Sequence, residues 1–213
     1  ETKSIMSTTD TEWKKKKYSL VAICGKSATG KDTFLSELLK YSDTGVLNKK
    51  VSYTSRPMRE GEVNGLDYRF VDGSYFSENA EKFIEQEDFR GWQYGTSIDS
   101  LSENCLNVGI FTPSGIERLK ALYPNIRLLV VEIQAPLQDR VWRSMHREKY
   151  PNYEEICRRL IVDEIDFKDF KPDFVVFNDS LEHFYDAVPG ILKVAIMDYL
   201  DYKKFLKEKE EKK

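Results

Sequence analysis

Cysteine, histidine and long apolar runs are scarce in this sequence, and each scarcity narrows what the chain can be. The three cysteines, Cys24, Cys105 and Cys157, are odd in number, widely spaced and never in a CxxC pair. That argues against a disulfide framework or a zinc knuckle, and for free thiols in a reducing, cytoplasmic setting. The two histidines, His146 and His183, lie far apart and outside any HExxH-type motif. A histidine-held metal and a Ser-His-Asp hydrolase are therefore not expected. No apolar run approaches the roughly 20 residues that cross a bilayer. Lys14 to Lys17 followed by Leu20 to Ile23 has the outline of a signal peptide. Its apolar part is too short, however, and it leads into Gly25-Lys26 instead of a small-residue cleavage site. No membrane partner is expected. Net charge is −3, so there is no surplus of basic residues to coat nucleic acid. No internal repeat is visible.

What is present is globular: 213 residues, 40% hydrophobic and 32% charged, enough for one sizeable core with inserts. The chain is organised around Gly25-Lys26-Ser27-Ala28-Thr29-Gly30-Lys31-Asp32-Thr33. An apolar run, Ser19 to Cys24, precedes it and reads as a buried strand. Phe34, Leu35, Leu38 and Leu39 follow it at helical spacing. Strand, glycine-bounded loop with a lysine, then helix is the setting of a phosphate-binding P-loop. Backbone N–H groups can turn inward around an anion there, and the helix start adds unpaired donors and the positive end of its dipole. Lys31 can then reach the outer phosphates. The alternative, an ordinary strand-to-helix turn, explains the glycines but gives Lys31 no task. The pattern asks for Ser or Thr directly after the lysine. Here Asp32 stands there, with Thr33 next.

Further along, Val51, Tyr53, Tyr68 and Phe70 read as short strands, with Asn64-Gly65 as a tight turn between them. Glu78 to Glu85 reads as a helix. From Leu106 strands and helices alternate: Val108 to Phe111, then helix Ser114 to Leu122. Strand Ile126 to Ile133 follows, then helices Pro136 to Lys149 and Tyr153 to Phe170. Strand Phe174 to Phe177 leads to a last helix that should bend or restart at Pro189-Gly190. This alternation implies an α/β fold with a mostly parallel sheet flanked by helices. Its ligand should lie at the carboxyl ends of the strands, where the P-loop already is.

The segment Val51 to Val71 carries a second cluster. Arg56 and Arg59 lie beside Pro57, and Tyr68 sits beyond the Asn64-Gly65 turn. Two guanidinium forks and a phenol can receive a dianionic phosphate; a solvated hairpin edge is the plainer alternative. This segment resembles the guanylate kinase family pattern S-x-(T/S)-T-R-x-P-R-x-G-E-x-(D/N)-G-x-D-Y-x-F. The loop is similar to that family's GxSGxGKST, keeping Gly25, Ser27, Gly30, Lys31 and Thr33. A third block, Phe83-Ile84-Glu85 through Tyr94-Gly95-Thr96-Ser97, resembles the family's F-(I/L)-E … G-N-x-Y-G-(T/S). Three motifs in register, within a likeness that spans nearly all of residues 19–200, make the resemblance specific.

The resemblance implies a P-loop NTPase-type core (18–48, 106–138, 166–203), a monophosphate-binding insert (49–105) and a helical lid (139–165). A mobile tail (1–17) and a charged tail (204–213) would flank this single domain. It implies that Gly25, Ser27, Ala28, Thr29, Gly30, Lys31, Asp32 and Thr33 bind ATP, with Asn178 at the adenine or merely capping a helix. Lys31, Arg143, Arg147 and Arg159 would supply positive charge during transfer. Arg56, Arg59, Tyr68 and Tyr94 would hold the acceptor phosphate. Ser52, Glu85 and Thr96 would contact guanine, whose N1–H and 2-amino group suit a carboxylate as adenine does not. Mg2+ would accompany ATP as co-substrate, held by Asp32 and Thr33. Partners would be small-molecule nucleotides, and nothing separates monomer from homodimer. The family's acids expected near Ile110 and Thr112 are absent, which removes one guanine contact. The expected activity is phosphoryl transfer from MgATP to GMP or dGMP. The alternatives are a related kinase for another nucleotide or a ribose bisphosphate, and a non-catalytic phosphopeptide-binding module.

Overall fold

The computed structural model describes residues 18–40, 45–89, 91–147 and 149–211. The expected 1–17 tail lies outside them. In chain order the elements are β1 (Ser19–Cys24), α1 (Lys31–Leu39), β2 (Leu47–Lys49), β3 (Tyr53–Thr54), β4 (Arg69–Phe70), α2 (Gly73–Glu78), a 3-10 turn (Ala80–Lys82), β5 (Phe83–Phe89), β6 (Trp92–Ser97), a second 3-10 turn (Ile98–Ser100), β7 (Leu106–Ile110), α3 (Pro113–Leu122), β8 (Arg127–Gln134), α4 (Leu137–His146), α5 (Tyr153–Asp166), β9 (Phe174–Phe177) and α6 (Leu181–Glu210).

Five strands form an all-parallel sheet in the order β2-β7-β1-β8-β9. This is the α/β arrangement that the alternation implies. The central strand β1 is buried throughout, so its two faces serve two cores. Val21 and Ile23 pack with Phe34, Leu35 and Leu38 of α1 and with Phe184, Val188 and Ile191 of α6. Leu20, Ala22 and Cys24 face the other way, onto Ile116 and Leu119 of α3 and onto Tyr123. Each such large apolar side chain stabilises the fold by about 1.5–3 kcal/mol. Clamped on both faces, β1 delivers Gly25 at a fixed point on the sheet's carboxyl edge.

A second, four-stranded sheet runs β4-β3-β6-β5, over a small core of Tyr53, Phe76 and Phe83. In β5 the register shifts between Phe83 and Glu85, a bulge that re-aims the strand. Phe83 enters the small core while Ile84 joins the main one beneath α3.

Several expectations change. Glu85 is on a strand, not at the end of a helix: helix stops at Glu78, and pairing with β6 organises the rest. Asn64-Gly65 turns the chain, with Gly65 at φ 85°, but does not make a hairpin, because β3 and β4 pair in parallel. The last helix, expected to bend or restart at Pro189-Gly190, does not restart, and helix runs on through the charged tail to Glu210. Val188, Ile191, Leu192 and Ala195 on either side of Pro189 are all in the main core, so packing holds the helix across it.

Candidate active site

The loop after β1 uses three left-handed residues, Gly25 (φ 145°), Ala28 (φ 60°) and Gly30 (φ 99°). Gly25 has no alternative: a Cβ there would stand 2.3 Å from the Ile133 carbonyl oxygen. Gly30 is the residue before α1, and its carbonyl accepts from the Phe34 N–H at 2.9 Å. Lys31 folds back over the loop, Nζ donating to the carbonyls of Gly25 (2.8 Å) and Lys26 (2.9 Å). Burial pulls its ammonium below the ordinary lysine range, while Asp32 and Asp163 act in the opposite direction. Buried Thr29 donates its hydroxyl to the Lys26 carbonyl at 2.9 Å. Asp32 and Thr33 are exposed on the first turn of α1.

Asn178, at the end of β9, donates its amide to the Thr29 carbonyl at 2.8 Å and is buried. It is not a helix cap, because Ser180 caps α6. Its amide instead pins the loop to the sheet edge.

Helices α4 and α5 lean onto the same loop. Arg143 reaches the Ala28 carbonyl at 3.4 Å. Two residues that the sequence reading did not single out make stronger contacts. Buried Arg140 donates to the Ser27 carbonyl at 3.0 Å and pairs with Asp163 at 2.5 Å. Asp163 in turn accepts from the Ser27 N–H at 2.8 Å and its hydroxyl at 3.2 Å. Arg159 is held by Glu155 on its own helix at 2.7 Å, and Arg147 is exposed just past the end of α4. Glu155 also takes Arg158. These guanidinium groups, Arg158 first, pull its carboxyl down to about 2.

On the second sheet Arg56 is buried. It donates to the Pro57 carbonyl and to Glu62 Oε1, both at 2.7 Å, with a further hydrogen bond to Tyr94. Its guanidinium lies 5.7 Å from the Tyr68 ring centre, and Tyr68 meets Tyr94 edge-on at 6.0 Å. Arg59 is exposed, while its backbone N–H donates to Glu62 Oε2 at 2.7 Å. Glu62 therefore ties both arginine positions together. The Tyr68 phenol is pushed up by burial first, then by Tyr94 and Asp32. That last influence is informative. Asp32 stands beside Lys31, so the first turn of α1 lies near enough to the Arg56–Tyr68–Tyr94 cluster for its charge to be felt there.

Glu85 anchors a third cluster. Its Oε1 accepts from the Thr96 hydroxyl at 2.8 Å and its Oε2 from the Thr112 hydroxyl at 2.9 Å. Lys50 stands 3.8 Å away. Glu85 and Thr96 are thus brought together as expected, and half-buried Ser52 lies just before β3, its carbonyl accepting from the Arg69 N–H at 2.8 Å. Thr112, where an acid was expected, supplies a hydroxyl donor instead and caps α3 by accepting from the Gly115 N–H. Lys50 and Asp163 were missed because a lysine in a Lys-Lys pair and an aspartate in a charged helix ordinarily read as solvated.

Among the described residues no three metal-ligating side chains gather, and no helix is long and apolar enough to cross a membrane.

With this geometry in hand, comparison with known proteins is direct. A model of the guanylate kinase family matches residues 17–195. The guanylate kinase of Chlorobium luteolum is 33% identical over 195 residues, covering 86% of this chain and 93% of that one. The human guanylate kinase is 30% identical over 189 residues, covering 83% and 93%. The crystal structure of guanylate kinase from Anaplasma phagocytophilum shares the fold, with a TM-score of 0.57 at 19% identity, covering 84% of this chain and 87% of that one. The family model spans most of the chain and the relatives are matched over most of their length, and the chain belongs to the guanylate kinase family.

Proposed function

We propose that the protein transfers the γ-phosphoryl group of ATP to the phosphate of GMP or dGMP, giving ADP and the nucleoside diphosphate. What supports this reading is a pair of cation clusters: Lys31 folded over the P-loop, and Arg56 gathered with Tyr68 and Tyr94. Asp32, next to Lys31, acts on the Tyr68 phenol, so the two would serve as donor and acceptor phosphate sites. The acceptor oxygen is already anionic near neutral pH, so no general base is needed. Catalysis rests on in-line placement and on neutralising the moving charge. Lys31 leaves the carbonyls of Gly25 and Lys26 for the outer phosphates of ATP. Arg143, Arg147 and Arg159 add charge from α4 and α5, and Asn178 keeps the loop in shape below. Arg56, Arg59, Tyr68 and Tyr94 orient the acceptor phosphate; Ser52, Glu85 and Thr96 read its base.

The donor set suits magnesium. Mg2+ is held mainly by nucleotide phosphates and water, with one or two protein oxygens, and the Asp32 carboxylate with the Thr33 hydroxyl, exposed on the first turn of α1, would supply them. Bound there, the ion would neutralise charge on the transferring phosphates. The segments 49–105 and 139–165 would move inward around the substrates and exclude water.

The named relatives do not favour the ribose bisphosphate kinase or phosphopeptide-binding alternatives. The test is coupled ADP release with ATP and Mg2+ against GMP, dGMP, AMP and dTMP. Turnover with the guanine nucleotides well above the other two is expected; equal rates with AMP would overturn the acceptor assignment.

A further inference from the structure

Two glycines clear room for a buried ion pair behind the proposed base pocket. A Cβ on Gly109 would stand 2.7 Å from the Cβ of Lys50, and one on Gly115 would stand 2.0 Å from Glu85 Oε2. Into that space runs Lys50, the residue after β2, with its side chain only 5% exposed. Its Nζ donates to Thr96 Oγ1 at 2.7 Å and to the Ile110 carbonyl at 2.6 Å, and lies 4.3 Å from the Phe111 ring centre. An ammonium donates only. Thr96 must therefore accept from Lys50 and send its own proton to Glu85 Oε1. On the other side the Thr112 hydroxyl accepts from the Gly115 N–H at 3.1 Å and donates to Oε2 at 2.9 Å, with Ser114 Oγ 3.1 Å away. Both Glu85 oxygens are thus acceptors, Oε2 also taking the Thr112 N–H at 3.4 Å.

We propose that Lys50 is a specificity-determining positioning residue: as the fixed counter-ion of Glu85 it holds the carboxylate in its two-acceptor form, and so selects guanine over adenine. The inference rests on the kinase reading above. Guanine presents two donors, N1–H and the 2-amino group. Adenine presents one donor and one acceptor, the complement of a protonated carboxyl. Removing the counter-ion favours protonation, and protonation favours adenine.

The remaining titratable groups facing this pair can be named. From Glu85's own strand comes Glu87, pushed up by burial first and then by Glu85; its like charge opposes the ionised form. From α5, Arg158 and Arg159 face Glu87. From β6 comes Tyr94, turned toward Arg56. The segment Ile110–Gly115 brings no titratable side chain. Burial pulls Lys50 below the ordinary lysine range while Glu85 acts against it. Lys50 is thus the cation in contact with the carboxylate.

The experiment measures kcat/KM for GMP over that for AMP between about pH 5.5 and 8, in the unaltered protein and in Lys50→Met. Both nucleotides carry the same phosphate, so its ionisation cancels from the ratio. The unaltered protein should give a flat ratio. In Lys50→Met the ratio should fall on acidification, by up to roughly tenfold per pH unit. Adding Glu85→Gln to Lys50→Met should abolish that pH dependence, because the titrating group is gone. A flat ratio in a Lys50→Met protein with native circular dichroism and a cooperative melt overturns the proposal. Should Lys50→Met fail to fold, the unaltered protein decides: a flat ratio supports the proposal, and a fall with one proton in that range overturns it. Absence of GMP turnover in the unaltered protein overturns the kinase reading and this inference with it.

Discussion

The carboxylate of Asp163 bonds Ser27 twice, accepting from its backbone N–H at 2.8 Å and from its hydroxyl at 3.2 Å. The same carboxylate is the partner of Arg140, whose side chain is 4% exposed. One aspartate thus joins α4, α5 and the P-loop. Removing it leaves a buried guanidinium with only the exposed Glu164 carboxylate, 3.8 Å away, as counter-charge, which costs up to about 3 kcal/mol. Asp163→Ala should lose about that much in urea unfolding, and Asp163→Asn, which keeps one acceptor, should lose less. A loss under about 1 kcal/mol for the alanine variant would show that the pair does not hold these helices to the loop.

Lys31→Ala removes the cation proposed to meet the transferring group but no part of either core. We expect kcat to fall by roughly a thousandfold or more, the scale of losing one preorganised charge-stabilising donor, with an unchanged circular dichroism spectrum. Undiminished turnover in a coupled assay would remove the loop lysine from the mechanism.

Glu85→Gln replaces a double acceptor with one acceptor and one donor. The variant should raise KM for GMP by roughly a hundredfold, the scale of an unmatched buried polar edge. KM for ATP should stay within about twofold. Comparable losses for both substrates would mean that Glu85 supports the fold and not base recognition.

Glu155 takes Arg158 at 2.8 and 2.9 Å and Arg159 at 2.7 Å, and its carboxyl is drawn down to about 2. An unfolded glutamate titrates near 4.3. Because the folded value is the lower one, the stabilising effect is fully present above about pH 4.3 and is lost as pH falls through about 2. The melting-temperature difference between the unaltered protein and Glu155→Gln should be constant near neutrality and shrink in that acidic window. Calorimetry showing a difference that widens on acidification would contradict the assignment.

The parts of this site that were legible in the sequence are those built by neighbours along the chain. The loop from Gly25 to Lys31 needs only a strand before it and a helix after it, and both are written in local apolar spacing. The placement of Glu85 was not legible. Phe83-Ile84-Glu85-Gln86-Glu87 has the composition of a helix, and only pairing with β6, an interaction with residues 92–97, makes it a strand. Pro189 deceived for a related reason: its local cost is overridden by the apolar residues around it in the main core. Lys50 and Asp163 are harder still. Nothing near either in sequence marks it as buried, since the carbonyl, hydroxyl and carboxylate partners of Lys50 and the guanidinium partner of Asp163 come from elements at least 35 and 23 residues away. The absent acid at position 112 was visible, but its replacement by a capping hydroxyl bonded to Glu85 required the fold.

The bond between Thr112 and Glu85 also fixes how the small sheet can swing. Thr112 begins a helix packed on the main sheet, while Glu85 belongs to β5, so the two bodies are pinned together at the proposed base site. The guanidinium of Arg56 has no such tether to the larger body among the described bonds, whose partners for it are Pro57, Glu62 and Tyr94. The hydroxyl of one threonine thus couples the register of β5 to the start of α3, two elements that are not neighbours along the chain.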